Sequence, residues 1–249
     1  MFQINLRPSF IHLLVSIIQL YCWVGHSALA QNPDEVGSWS VFNTKLNFNS
    51  KWSVFGEGQL RSLGFYNQFH YYEYKGGFNY KLNKSFSFSV GLGHYNTYQA
   101  GGSFVTPKQN DELRSWVQIT MQQFLEIIKF EHRYRIEQRW QSKGYRNRFR
   151  YRFNVAVPLN SKELKTKTIY TMTWLEVFGT DIPPYFERLR FFTGIGYDVS
   201  PTVSLQTGWL RQFDYKVVDE IGHNFLQFSL LLDLQWKKES NKSLPTVID

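Results

Sequence analysis

Arg146, Arg148, Arg150 and Arg152 set four guanidinium groups on alternate positions, interleaved with Asn147, Phe149, Tyr151 and Phe153. A guanidinium stays charged and presents a planar fork of donors, so a row of them is suited to holding phosphate or carboxylate. These four are the candidate anion-binding residues. Just upstream, Lys129, Glu131, Arg133, Arg135, Glu137 and Arg139 repeat the spacing with both signs of charge. Lys45, Glu57, Arg61, Glu73, Lys75, Lys81, Glu112, Arg114, Glu176, Arg188, Arg190 and Asp233 sit in similar alternating surroundings. Charges enclosed together must pair or meet water, because an isolated buried charge costs several kcal/mol. Two chemistries follow: a ladder of Arg–Glu pairs that fills and stiffens an interior, or a basic conduit or pocket that selects small anions. Glu131 and Glu137 are the local counter-charges. Around 146–152 arginine outnumbers its carboxylates, which predicts an unpaired basic patch.

Other chemistries find less support. A lipid hydrolase embedded in a barrel wall needs His, Ser and an amide together; His94 is followed by Asn96, but no serine lies two residues from His94 or His132. Outward Ser115 reaches a histidine only through strand pairing. His70, His94, His132 and His223 have no metal-ligand spacing. Glu57, Glu73, Glu112 and Glu176 are better counter-ions than an acid–base pair beside so many arginines. The run from Arg146 to Phe153 mimics a single-strand nucleic-acid binder, as does the isoelectric point near 9.4, but strand alternation explains the same spacing. No catalytic residue, cofactor, metal or nucleic acid is assigned.

A period of two is the strand period, since successive side chains point to opposite faces. It recurs over roughly 37–48, 51–62, 70–82, 85–97, 112–123, 126–140, 146–158, 167–178, 187–198, 202–213 and 223–236, with Pro107, Pro158, Pro183, Pro184 and Pro201 in or at the edges of the gaps. One face is apolar (Phe86, Phe88, Val90, Leu92; Leu226, Phe228, Leu230, Leu232), and the other carries Ser, Gly, Gln and the charges. A sandwich would need a second apolar face. The pattern predicts an all-β, antiparallel up-and-down transmembrane barrel with its charges inside. Eleven candidates is odd where single-chain bacterial barrels have even numbers, so about 12 strands are expected, with 10 the alternative and 34–36 a candidate for a missed strand. Asn49-Ser50, Asn83-Lys84, Phe124-Leu125 and Ser200-Pro201 read as tight periplasmic turns, and the gaps near 63–69, 98–111, 179–186 and 214–222 as long loops on the opposite side.

The ends of the sequence fix the expected compartment. Arg7 is the sole charge among the first thirty residues, an apolar run spans Phe10 to Val24, and Ala28-Leu29-Ala30 precedes Gln31. Residues 1–30 therefore read as a secretory signal peptide, leaving residues 31–249 as the barrel. The single cysteine, Cys22, lies in that leader, so disulfides and cysteine metal sites are excluded from the remainder. The net charge is +8 and aromatics make up 18% of the chain, a proportion that suits interfacial girdles. The last strand ends near Trp236, followed by a polar tail, Lys237 to Asp249.

Glu112-x-Arg114-x-Trp116, His132-Arg133-x-Arg135-x-Glu137-Gln138-Arg139, Arg146-x-Arg148-x-Arg150, then Glu176, Arg188-x-Arg190 and Gly194-x-Gly196-Tyr197 form a series. With Trp39 and Glu57-x-Gln59-x-Arg61, it resembles the Bacteroidetes-rich outer-membrane β-barrel family catalogued as domain of unknown function 2490. The resemblance covers nearly all of residues 31–249 and implies a barrel in the bacterial outer membrane, in contact with its lipid; it carries no catalytic residues. The expected protein is a non-enzymatic barrel with a basic, charge-lined lumen, either plugged or open to small anions. The lumen network is Glu57, Arg61, Glu73, Glu112, Arg114, Glu131, Arg133, Arg135, Glu137, Arg139, Glu176, Arg188 and Arg190. A membrane-embedded lipid hydrolase and a scaffold barrel that binds partners through its loops are the alternatives.

Overall fold

The structure is a computed structural model and describes residues 36–215 and 220–236. The expected signal peptide and the polar tail after Trp236 lie outside the described residues. Eleven strands occupy almost all of the rest: β1 (Gly37–Asn47), β2 (Trp52–Gly64), β3 (Asn67–Lys81), β4 (Phe86–Gln99), β5 (Val105–Leu125), β6 (Ile128–Gln141), β7 (Gly144–Pro158), β8 (Ile169–Thr180), β9 (Phe186–Asp198), β10 (Val203–Tyr215) and β11 (Glu220–Gln235). They close into one barrel in sequence order. Each strand pairs antiparallel with the next, and β1 closes the wall against β11. Closure leaves no unpaired edge, which is how an all-β chain satisfies its backbone without a neighbouring molecule.

All eleven alternating segments lie in the wall, so the expectation of 12 strands, or 10, is corrected to eleven. The reason is the seam. β1 and β11 run parallel, in register from Gly37↔Phe225 to Asn47↔Gln235. A parallel ladder satisfies the edge groups as an antiparallel one does, and it removes the requirement for an even count. The expected sorting of loops is also corrected. The gap near 63–69 contracts to Phe65-Tyr66, because the ladder continues to Gly64↔Asn67. The longest described connection, 159–168, falls on the end expected to carry only tight turns, shared with 48–51, 82–85, Glu126-Ile127 and 199–202. It is not loose: Leu164 packs against the buried cluster inside the barrel.

The two parities separate cleanly. Val90, Leu92, Val117, Ile119, Ile136, Leu175 and Ile195 are exposed on the outer wall. Exposed aromatics stand at both ends of that band, and Phe42, Tyr74, Phe78, Tyr134 and Phe149 stand within it. Phe48, Trp52, Phe124 and Trp236 stand at one end; Phe65, Tyr66, Trp140, Tyr145, Tyr185 and Phe186 stand at the other. The middle of the lumen is filled rather than hollow, and it has two halves. β1 and β8–β11 contribute Trp39, Val41, Tyr170, Met172, Trp174, Phe192, Leu210 and Phe225 to one buried cluster. β5–β7 contribute most of the arginines, joined by Arg61 of β2 and Arg190 of β9. Small barrels fill their interiors with side chains, and alternating large with small residues lets bulky rings lie against the wall. Gly91 and Gly196 serve this purpose: a Cβ at Gly91 would enter the Trp116 indole, and one at Gly196 would enter the Tyr170 ring.

Gly91→Ala is therefore expected to destabilise the barrel by about 1–3 kcal/mol through overpacking. Gly58→Ala, whose added Cβ has the Glu73 backbone oxygen at 4.0 Å as its near neighbour, should leave stability almost unchanged. Urea unfolding of the detergent-folded chain, followed by tryptophan fluorescence, measures both.

Candidate functional site

Strand alternation delivers the charges of β6 and β7 to the lumen, but it does not deliver opposite charges to each other. In the β6–β7 ladder Arg133 faces Arg152, Arg135 faces Arg150 and Arg139 faces Arg146; only Glu137 faces an opposite charge, Arg148. Like charges directly opposed destabilise a sheet. The arginines instead reach beyond their own hairpin.

Four glutamates organise them. Glu137, fully buried, takes Nε and Nη2 of Arg148 at 2.8 and 2.6 Å and Nη1 of Arg150 at 2.6 Å, with Arg135 at 3.6 Å. Glu176, also fully buried on β8, accepts from Arg133 at 2.5 Å, from Arg150 at 2.8 Å and from Arg152 at 3.1 Å, with Arg190 at 3.8 Å. Glu112 on β5 binds Arg114 through two bonds of 2.6 and 3.0 Å and is also forked by Arg139. Glu187 at the start of β9 accepts from Arg139 at 3.0 Å and from Arg146 at 2.5 Å, with Arg148 at 3.5 Å. Such bidentate, charge-assisted contacts are the strongest available to these side chains.

Arg146, Arg148, Arg150 and Arg152 thus each have a carboxylate partner, so the expected unpaired basic patch is replaced by a paired one. Pairing is complete, but neutrality is not, because the glutamates are shared. Aromatic faces take up part of the remainder. Arg152 lies 4.1 Å from the centroid of Trp174, Arg114 lies 3.6 Å from Tyr95, and Arg61 lies 3.4 Å from Trp39. Phe178, fully buried, is approached by Arg150 at 4.7 Å and by Arg190 at 4.8 Å. A cation over a ring face gains roughly 0.5–2 kcal/mol, more when desolvated. Neutral acceptors supply the rest: Gln118 Oε1 takes Nε and Nη2 of Arg135 at 2.8 and 2.6 Å, and Gln212 takes Arg190 Nε at 2.9 Å.

A second network occupies β1–β3. Lys75 bridges Glu57 at 2.7 Å and Glu73 at 2.8 Å, Arg61 meets Glu73 at 3.2 Å, and Asn43 donates to Glu57 at 2.9 Å. Two of the thirteen network candidates stand elsewhere. Glu131 sits toward the other mouth with Lys129 at 3.5 Å, and Arg188 pairs with Asp214. Lys75 and Gln118, which alternation places inside, join the network, and so do Asp214 and above all Glu187, which alternation did not select. Glu187 has the parity of the outward Leu189 and Phe191. A register shift between Phe178 and Gly179 breaks the β8–β9 alternation there, pairing Gly179 with Phe186 and Phe178 with Arg188. The one signal in the sequence was a carboxylate on an otherwise apolar parity. The adjoining turn is pinned to β7: Asn147 donates its side-chain amide at 2.7 Å and its backbone N–H at 3.0 Å to Asp181, which holds that carboxyl below its ordinary pKa.

The histidines do not assemble a hydrolytic site among the described residues. His94 Nε2 meets Asp111 Oδ1 at 2.5 Å and its Nδ1 meets Asn96 at 3.1 Å, while His132 Nδ1 meets the Tyr151 hydroxyl at 2.8 Å. Ser115 lies two residues along β5 from Leu113, the partner of His94, and donates its hydroxyl to Gln138 at 2.9 Å instead. His70, His94, His132 and His223 stand on four different strands, and no group of three or more metal-ligating side chains is found among the described residues.

Removing one shared carboxylate should be costly. Glu137→Gln leaves Arg148 without its main counter-charge and takes one of two carboxylates from Arg150, and is expected to cost on the order of 3–5 kcal/mol. Asp111→Asn, which breaks the half-exposed pair with Lys108, should cost no more than about 1 kcal/mol. Urea midpoints of the two variants, with heat-modifiable gel mobility to verify folding, check the contrast.

Residues 36–220 match the family model described as "Protein of unknown function (DUF2490)", and the chain belongs to that family. No curated protein matches it.

Proposed function

We propose that this family member is a bacterial outer-membrane β-barrel, exported by residues 1–30 and held in the bilayer by its apolar outer wall, whose lumen is plugged at mid-height and passes no ions. The observation that carries the plug is the burial of Glu137, Glu176, Arg133, Arg135, Arg148 and Phe178 inside the wall, none more than 2% exposed. Their side chains interlock through shared carboxylates and a ring face, so no water-filled path runs between them. A conduit requires the opposite arrangement, with charged groups lining open water.

The outer wall supports the membrane assignment. An apolar band of aliphatic and aromatic side chains, flanked at both ends by further Tyr, Trp and Phe, is the arrangement that a bilayer of hydrocarbon between two interfaces selects. A barrel in water would gain nothing from exposing Leu92, Val117, Ile119 and Ile136 together. The protein is therefore read as a rigid membrane-held body whose contacts with solutes and partners are made at its two ends. It is not read as a lipid hydrolase, since neither described wall histidine, His94 or His132, has a serine hydroxyl in hydrogen-bond reach.

Planar-bilayer recording of the refolded full-length chain tests the plug. No stepwise conductance is expected; a steady conductance that is lost or changes its ion preference in Arg148→Glu would establish an open lumen instead. The outer wall has its own test. Val117→Arg, at mid-height on the outer face, is expected to lower stability by about 2–4 kcal/mol when folded into lipid vesicles. An effect below about 0.5 kcal/mol, the range of an ordinary surface substitution, would count against membrane burial of that face.

A further inference from the structure

The barrel's two halves differ in their cations. Mid-lumen cations are nearly all arginine, whereas the mouth at the 48–51, 82–85 and 126–127 turns is furnished with lysine. A cavity of about 840 Å³ opens there, and six lysines stand among its lining residues against two carboxylates, Glu126 and Glu163. Lys45 and Lys129 have carboxylates at 3.6 and 3.5 Å, Asp233 and Glu131 respectively. Lys81, between them on β3, has no ion pair among the described residues, and neither do Lys51 and Lys84 on the rim. β1, β3 and β6 are not neighbours in the wall, so Lys45, Lys81 and Lys129 approach the cavity from separate sides.

Hydroxyls and amides line it too, among them Ser53, Asn79, Ser87, Ser89, Gln118 and Thr120, with Trp52, Phe86, Phe124, Ile127 and Leu164 as its apolar members. Gln118 marks the floor, because its Oε1 is already committed to Arg135 of the plug. Asn79 is buried in the cavity wall and its Oδ1 has no hydrogen-bond partner. A buried acceptor left open costs roughly 1–3 kcal/mol, which a small turn of the Asn79 amide toward a ligand hydroxyl in the cavity would recover.

We propose that this mouth is a blind binding site for a small hydroxylated anion, a phosphate- or carboxylate-bearing sugar-like solute. The unpaired lysines supply charge to the anionic group, and Asn79 with the neighbouring serines and amides supplies partners for hydroxyls. Lysine suits this task better than arginine: its ammonium is a compact charge on a flexible stem that can converge on ligands of different shape. The occupant is a free solute rather than a lipid headgroup, because Lys45, Lys81, Lys129, Ser87 and Ser89, the groups that would hold it, face inward, and acyl chains would have to cross the wall to accompany a headgroup bound there. The site does not depend on where the barrel resides, so its test is independent of the plug and the membrane assignment.

Calorimetric titration of the full chain, folded in neutral detergent at low salt, uses glucose 6-phosphate, pyrophosphate and glucose as probes. Glucose 6-phosphate is expected to bind one per barrel, pyrophosphate more weakly, and glucose without measurable heat. Lys81→Gln should weaken the sugar phosphate at least about tenfold, and added salt should weaken it further as screening sets in. Asn79→Ala should weaken glucose 6-phosphate more than pyrophosphate, and Lys143→Gln, in the exposed turn between β6 and β7 at the other end of the barrel, should bind like the unaltered protein. Heat-modifiable mobility shows which variants are folded. Absence of binding by both anions, or unchanged affinity in folded Lys81→Gln and Lys45→Gln alike, would overturn the proposal. Displacement of the sugar phosphate by anionic-lipid vesicles would overturn the assignment to a free solute.

Discussion

The sharing of a few glutamates among many arginines is the constraint on which the interior depends. Nine arginines lie within 4.0 Å of Glu112, Glu137, Glu176 or Glu187. A buried pair is held more for geometry than for net stability, since desolvating both ions offsets most of their attraction. A carboxylate that serves several guanidinium groups at once ties several strands together. Glu176 joins β8 to β6, β7 and β9; Glu112 joins β5 to β6. The cross-section of the barrel is thereby fixed from within as well as by its ladders. Excess positive charge then requires the aromatic half of the lumen, where ring faces stand in for the missing anions.

The alternation of polar and apolar residues was sufficient to read the fold and the face of nearly every charge. A one-residue slip would send an entire strand's charges to the wrong side, so parity is strongly specified by the sequence. Partners were not legible in the same way. Arg133 reaches Glu176 across a separation of 43 residues, and parity says only that both point inward. The expected surplus of arginine at 146–152 came from counting carboxylates nearby in sequence, whereas Glu176 and Glu187 arrive from later strands. Glu187 was hidden by the bulge that breaks its parity. The inner aromatics Trp39, Trp174 and Phe178 share parity with charges, so the pattern placed them inside without revealing that they stack on guanidinium groups.

The division of cations along the barrel follows their chemistry. Arginine, delocalised and more weakly hydrated, tolerates the desolvated middle and forks onto two carboxylates at once. Lysine, strongly hydrated, is placed mainly where the lumen opens to water; Lys75, buried between Glu57 and Glu73, is the exception. Gln118 joins the two regimes: its carbonyl oxygen faces the arginine core, while its amide donates to Thr120 at 3.1 Å in the open mouth.

The parallel seam has a topological consequence. Every other ladder is spanned by a connection between consecutive strands, but β1 enters at one mouth and β11 leaves at the other. Strand β1 alone is 11 residues long, or about 35 Å when extended. A circular permutant of this barrel could not be made by joining Gln235 to Gly37 with a short linker, as is usual when termini lie close together. The joining segment would have to run the height of the wall, through an occupied lumen or along the outer face.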